Sequence, residues 1–196
     1  TSPGVNNPSA GCSASSGLLT DSDTYTFQFN NIERAYRVHV PDNYKSTSAS
    51  PLVMLFHGWG GGQSEFIGNA TVTSEADQQG YILVAPVGLG SGEPDNSFNS
   101  WTFSGSANGL DGDGGNGIEG AICDFNNTPD YRYASCDGIA ENSCSWTQCQ
   151  QDDVAFTAAL LEHVGNRMCV DADSVFASGG SNGGMFTWEL GQNPLT

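Results

Sequence analysis

Three short apolar runs, set apart by stretches of helical period, constrain the fold more than any other feature of this chain. Pro51-Leu52-Val53-Met54-Leu55-Phe56 is continuously apolar and ends at His57-Gly58. Tyr81-Ile82-Leu83-Val84-Ala85 is the second run, stopped by Pro86, and Ser174-Val175-Phe176-Ala177-Ser178 is the third. Apolar, β-rich segments of this length suit strands buried on both faces. Between and after them the spacing predicts helices. One spans 64–79, closed by Gly80, and another spans 152–164. The latter has Phe156, Leu160 and Val164 on one side and Val154, Ala158 and Leu161 beside them. A third helix begins at Met185 and runs to Leu190, after a tight turn over 179–184. Alternation of this kind predicts an α/β chain with a mostly parallel sheet flanked by helices, the three runs being neighbouring parallel strands. Ahead of them, residues 24–29 and 34–40 alternate polar and apolar side chains around Asn30-Asn31, which predicts a hairpin at a sheet edge.

Residues 88–151 follow no period. Gly, Asn, Ser and Asp dominate there, and four of the chain's 6 cysteines (Cys123, Cys136, Cys144, Cys149) crowd into it, leaving Cys12 and Cys169 outside. No CxxC pair exists and the histidines lie far from this cluster, so zinc spacing is absent and disulfides are expected. At least two bridges are expected among those four, with Cys169 a further candidate, and connectivity is left open. We read the chain, 1–196, as one domain carrying a disulfide-braced insertion at about 98–150, which borders the site mouth and helps choose the substrate. Residues 1–22 form an irregular arm that Cys12 is placed to tie down. Disulfides imply an oxidising compartment, hence secretion. The start Thr1-Ser2-Pro3-Gly4, lacking a basic and then apolar leader, has the form of a mature chain. Asn69-Ala70-Thr71 and Asn126-Asn127-Thr128 are glycan acceptors if the source is eukaryotic.

Charge excludes some partners. Lys plus Arg number 5 against 22 Asp plus Glu, a net charge of −17, which repels nucleic acid and anionic lipid. No apolar run reaches the ~18 residues a transmembrane helix needs, so no membrane partner is expected. Asp111, Asp113, Asn116 and Glu119 could attract calcium, but their spacing misses the EF-hand loop, and we read them as a solvated acidic loop. No metal and no cofactor are expected.

The chemistry is signalled by Gly179-Gly180-Ser181-Asn182-Gly183, a G-x-S-x-G between a predicted strand and a predicted helix. A serine hydroxyl becomes a useful nucleophile when it is exposed and paired with a base, and a sharp strand-to-helix turn exposes it. Small residues flank it because backbone crowds such a turn. A glycine-rich turn with no chemistry is the bland alternative, which the flanking strand and helix disfavour. His57-Gly58-Trp59-Gly60-Gly61-Gly62, directly after the first apolar run, is an independent second signal. A loop there supplies one amide of an oxyanion hole and the residue after the nucleophile supplies the other, here the amides of Gly58 or Trp59 and of Asn182. These glycines fit neither G-x-G-x-x-G nor G-x-x-x-x-G-K-[ST], so nucleotide binding is disfavoured. In this fold the triad runs Ser, acid, His, yet no His and no Asp follow Ser181. His39 falls in a strand, His57 in the oxyanion loop and His163 on a helix, and each reads as structural. The triad Asp and His are therefore expected outside this chain, in a missing C-terminal half of the same enzyme, on a second polypeptide after cleavage or absent through an incompletely determined sequence.

Arg34-x-Tyr36-x-Val38-His39-Val40-Pro41-x-x-Tyr44 resembles the opening of secreted α/β-hydrolase esterases of the feruloyl esterase, acetylxylan esterase and polyhydroxybutyrate depolymerase group. Leu55-Phe56-His57-Gly58-Trp59-Gly60-Gly61, Ala76-Asp77-x-x-Gly80-Tyr81, Asp152-Asp153-Val154-x-Phe156, Cys169-Val170-Asp171 and Gly179-x-Ser181-Asn182-Gly183-Gly184-Met185 resemble it too, in the same order. Two departures stand out: Val87 replaces the Asp of an A-P-D-G turn, and the 103–150 segment is longer than usual. The resemblance implies an α/β-hydrolase of which only the N-terminal part is present, with Ser181 as the acylated serine. It also implies hydrolysis of feruloyl or acetyl polysaccharide esters or of a polyester, so a polymeric ester is the expected partner. Two other readings stay open: a non-catalytic binding protein on a degenerate hydrolase fold, and a peptidase or thioesterase on the same scaffold.

Overall fold

A computed structural model describes residues 7–21, 24–90, 99–102 and 152–193. The insertion beyond residue 102, with its four cysteines, its sequon and its acidic loop, lies outside the described residues. At Asn30 and Asn31 the chain takes φ of 48° and 63°, the left-handed pair a tight hairpin turn demands and Asn tolerates. That turn joins β1 (Tyr25–Phe29) to β2 (Ile32–His39), antiparallel, with Phe29 opposite Ile32. The hairpin forms one edge of a 5-stranded sheet. β3 (Ser50–Phe56), β4 (Ile82–Pro86) and β5 (Val170–Gly179) complete it in the order β1-β2-β4-β3-β5. β4, β3 and β5 are neighbouring parallel strands, as the apolar runs predict.

Burial follows the two-residue strand period. Leu52, Met54 and Phe56 of β3 and Ile82 and Val84 of β4 face one layer, which contains Phe156, Leu160 and Val164 of α3 (Asp153–Gly165) and Phe186 and Leu190 of α4 (Asn182–Gln192). Leu55, Leu83 and Ala85 point the other way, onto Ile67 and Ala76. Those two belong to α1 (Ser64–Ile67) and α2 (Ala70–Gln79). The single helix expected over 64–79 is thus two. Asn69 breaks it, because its side-chain oxygen accepts the Thr71 amide at 3.0 Å and so caps a new helix. Gly80, at φ 78°, ends α2 as expected. Asp152 caps α3, accepting the amides of Val154 and Ala155 at 2.9 and 3.0 Å. α4 starts at Asn182, three residues before the expected start, because the turn is shorter than 179–184.

The arm is anchored as expected, by Cys12, but its partner is Cys169, which is therefore not available to the four cysteines of the insertion. Ser9 joins the same seam, its amide donating to Val170 O at 2.9 Å and its hydroxyl to Met168 O at 2.7 Å. β5 begins four residues ahead of the third apolar run because its first part pairs with this arm, Ala172 N–H donating to Asn7 O at 2.8 Å. Its pairing with β3 shifts register between Ser50/Val170 and Leu52/Val175. β5 is the second edge of the sheet among the described residues, with Phe176 58% exposed, and on α4 Met185 and Trp188 are also exposed. No described helix is long and apolar enough to cross a membrane.

Candidate active site

The reversal from β5 into α4 leaves only Gly180 and Ser181 between strand and helix. Ser181 therefore takes φ 51° and ψ −121°, a conformation side chains other than glycine's rarely adopt. Its neighbours are glycines for a measurable reason. A Cβ on Gly179 would lie 2.6 Å from the Gly183 carbonyl, and one on Gly183 would lie 2.1 Å from Phe56 O. The Ser181 side chain is exposed and makes no helix-capping hydrogen bond, while its carbonyl accepts the Met185 amide at 3.0 Å. The hydroxyl is thus lifted off the sheet edge above the N-terminal amides of α4, which favour negative charge.

The loop after β3 lies against this turn. A Cβ on Gly58 would stand 3.4 Å from Ser181 Cβ and 3.5 Å from Gly180 O. Gly61 N–H donates to Gly58 O at 3.0 Å, and Trp59 is half exposed. His57 is fully buried. Gly88 N–H donates to its Nε2 at 2.9 Å, so the ring proton sits on Nδ1 and is given to Gly58 O at 2.6 Å. Burial pushes this imidazole below its ordinary pKa, so it stays neutral. His39 Nε2 pairs with Asp77 at 2.9 Å, and His163 Nε2 pairs with the Tyr36 hydroxyl at 3.0 Å. Among the described residues, then, each histidine is engaged with a structural partner. Gly58 is brought against Ser181, with Trp59 and Asn182 the residues that follow each of them in the chain.

A feature that the sequence reading did not identify completes the site. Residues 99–102 run through its floor. Asn182, fully buried, accepts the Trp101 amide on Oδ1 at 2.7 Å and donates from Nδ2 to Trp101 O at 3.0 Å. The Trp101 indole N–H donates to His57 O at 3.0 Å, and the ring stacks on Phe186 and meets Phe56 edge-on. Asn99 holds the far end of the loop after β3, accepting Gly60 N–H at 2.8 Å and donating to Gly61 O at 3.0 Å. Thr102 donates its amide and hydroxyl to Asp153, at 2.8 and 3.0 Å. The other carboxylate oxygen of Asp153 pairs with buried Arg34 at 2.8 Å, and the guanidinium lies 3.8 Å over the Phe156 ring. The one available signal was Trp101 itself, a large apolar side chain in a polar stretch. No group of His, Cys, Asp and Glu suited to a metal occurs among the described residues.

Strand order, the strand-turn-helix at Ser181 and the loop after β3 define the helix-flanked α/β-hydrolase fold expected from the sequence; its sheet is mixed, parallel across β4, β3 and β5 and antiparallel at the hairpin edge. Native pOPH superposes with a TM-score of 0.52 at 16% identity, over 87% of this chain and 46% of its own. An S-formylglutathione hydrolase from Agrobacterium tumefaciens superposes with a TM-score of 0.53 at 15% identity, over 88% and 53% of the two chains. In sequence, the chain is 23% identical to feruloyl esterase D of Neurospora crassa over 183 residues, 93% of this chain and 48% of that protein. No protein-family model matches. The chain spans about half the length of the relatives it matches.

Proposed function

We propose that this chain carries the nucleophile and oxyanion hole of a secreted serine carboxylic-ester hydrolase acting on feruloyl or acetyl polysaccharide esters or on a polyester. The observation that carries the reading is Ser181, held at positive φ between β5 and α4 with Gly58 packed against it. Ser181 Oγ attacks the ester carbonyl carbon and passes its proton to a histidine base. The tetrahedral oxygen takes the Asn182 amide and the amide of Gly58 or Trp59. Collapse expels the alcohol, which takes the proton back, and water repeats the sequence to free the acid. The base and its Asp come from a further segment seated on the open β5–α4 side, where Phe176, Met185 and Trp188 lie exposed. Similarity to a feruloyl esterase supports the ester class, and the Cys12–Cys169 bridge supports an oxidising destination.

The test uses the full-length natural protein. A fluorophosphonate should label Ser181, read by peptide mass. Ser181→Ala should abolish labelling and lower turnover of a p-nitrophenyl ester by several orders of magnitude, ~10⁴–10⁶-fold. Turnover unchanged in that variant moves the nucleophile elsewhere. Absence of any esterase activity in the wild type favours a binding role, or an amide or thioester substrate.

A further inference from the structure

An oxyanion hole works only if its two amides point at the same oxygen, and here they come from separate elements: the loop after β3 and the first turn of α4. Each loop amide belongs to a rigid, planar peptide whose C=O points opposite to its N–H. Whatever fixes the carbonyl therefore aims the amide. The carbonyl of His57 shares its peptide with Gly58 N–H, and it is fixed by the Trp101 indole at 3.0 Å. The carbonyl of Gly58 shares its peptide with Trp59 N–H, and it is fixed by His57 Nδ1 at 2.6 Å and by Gly61 N–H at 3.0 Å. On the other side, Asn182 follows the nucleophile and grips the same Trp101 through both backbone groups, at 2.7 and 3.0 Å. Trp101 is fully buried, and its ring also bridges the two elements, stacked at 5.4 Å on Phe186 of α4 and edge-on at 5.0 Å to Phe56 of β3.

We propose that Trp101 and the Asn182 side chain are positioning residues that register the oxyanion loop against the nucleophile turn. The chain Asn182–Trp101–His57 links the two halves of the hole by hydrogen bonds made outside the reacting atoms. Trp101 touches no substrate in this arrangement: it acts through the His57–Gly58 peptide. The inference rests on the esterase reading of Ser181. It adds that residues 99–102, where the long insertion departs, form part of the catalytic frame.

Trp101→Phe removes the indole donor while keeping an aromatic ring between Phe56 and Phe186, and the loss of ring volume is read separately as a change in melting temperature. Asn182→Ala removes the grip from the opposite end. In the full-length protein, kcat and KM would be measured on p-nitrophenyl butyrate per active site titrated with fluorophosphonate. Affinity for a phenylboronic acid, whose tetrahedral serine adduct occupies the hole, would be measured beside them. Both variants should lose about 10-fold or more in kcat, with KM within about twofold and boronate affinity falling in step with kcat. A variant that melts lower yet keeps wild-type kcat and boronate affinity per titrated site overturns the inference, as does a change confined to KM. If Ser181→Ala itself retains turnover, the esterase reading fails first and by a separate measurement.

Discussion

Ser181 holds φ 51° and ψ −121°, a backbone conformation that costs a side-chain-bearing residue roughly 1–3 kcal/mol. Glycine adopts it freely and gives back about 0.5–1 kcal/mol in unfolded-state entropy. Ser181→Gly should therefore raise unfolding stability by about 1 kcal/mol while removing the hydroxyl. Urea unfolding of wild type and variant measures the difference, and a glycine variant no more stable than wild type would show that the turn is unstrained. Strain of this kind is retained where the exposed hydroxyl is worth more than the stability lost. His57 illustrates the opposite economy. The sequence places it in the glycine-rich loop after β3, which the fold sets against the Ser181 turn, yet both its ring nitrogens are taken by backbone groups and burial holds it neutral.

Between elements, the Arg34–Asp153 pair joins β2 to α3 in the interior, with Thr102 completing the carboxylate shell. Breaking one side of a buried pair strands the other charge, at a cost of about 3–5 kcal/mol. Asp153→Ala should destabilise by that amount, whereas the double variant with Arg34→Met should recover most of it, because no buried charge is then left over. Chemical denaturation of the two variants decides the point, and an equal loss in both would deny the pair its electrostatic role. Elements of this size were legible in the sequence where short-range chemistry governs them. Asn30-Asn31 announced the hairpin, and Pro51-Leu52-Val53-Met54-Leu55-Phe56 announced a doubly buried strand. The sequence was silent where distant contacts decide. Val170 to Asp173 extends β5 despite two aspartates, because Asn7 and Ser9 pair with it from the other end of the chain. Asn182 drew notice in the sequence only for its backbone amide, and its side-chain grip on Trp101 spans 81 positions and follows no period.

At the scale of the molecule, β5 carries two functions at opposite ends. Its start is fastened through Cys169 to Cys12, closing a loop of 157 positions, and its end opens into Ser181. Cys12→Ala should lower stability by about 2–5 kcal/mol, read as a drop in melting temperature under oxidising conditions. The esterase rate constant proposed for the full-length protein, measured on material kept folded at low temperature, should stay unchanged, because the bridge lies a strand's length from the serine. A fall in kcat without loss of stability would contradict that separation. The pairing of β3 with β5 carries a consequence of a different kind. Phe56 and Gly179 sit side by side in the sheet, so the loop after β3 and the turn at Ser181 both depart from one rung of one ladder. Neighbouring strands stand about 4.8 Å apart in every sheet, a spacing dictated by the peptide hydrogen bond and blind to side chains. The ladder thus serves as a ruler. Surface and insertion can drift in evolution, while the separation between that loop and that turn is reset each time the chain folds.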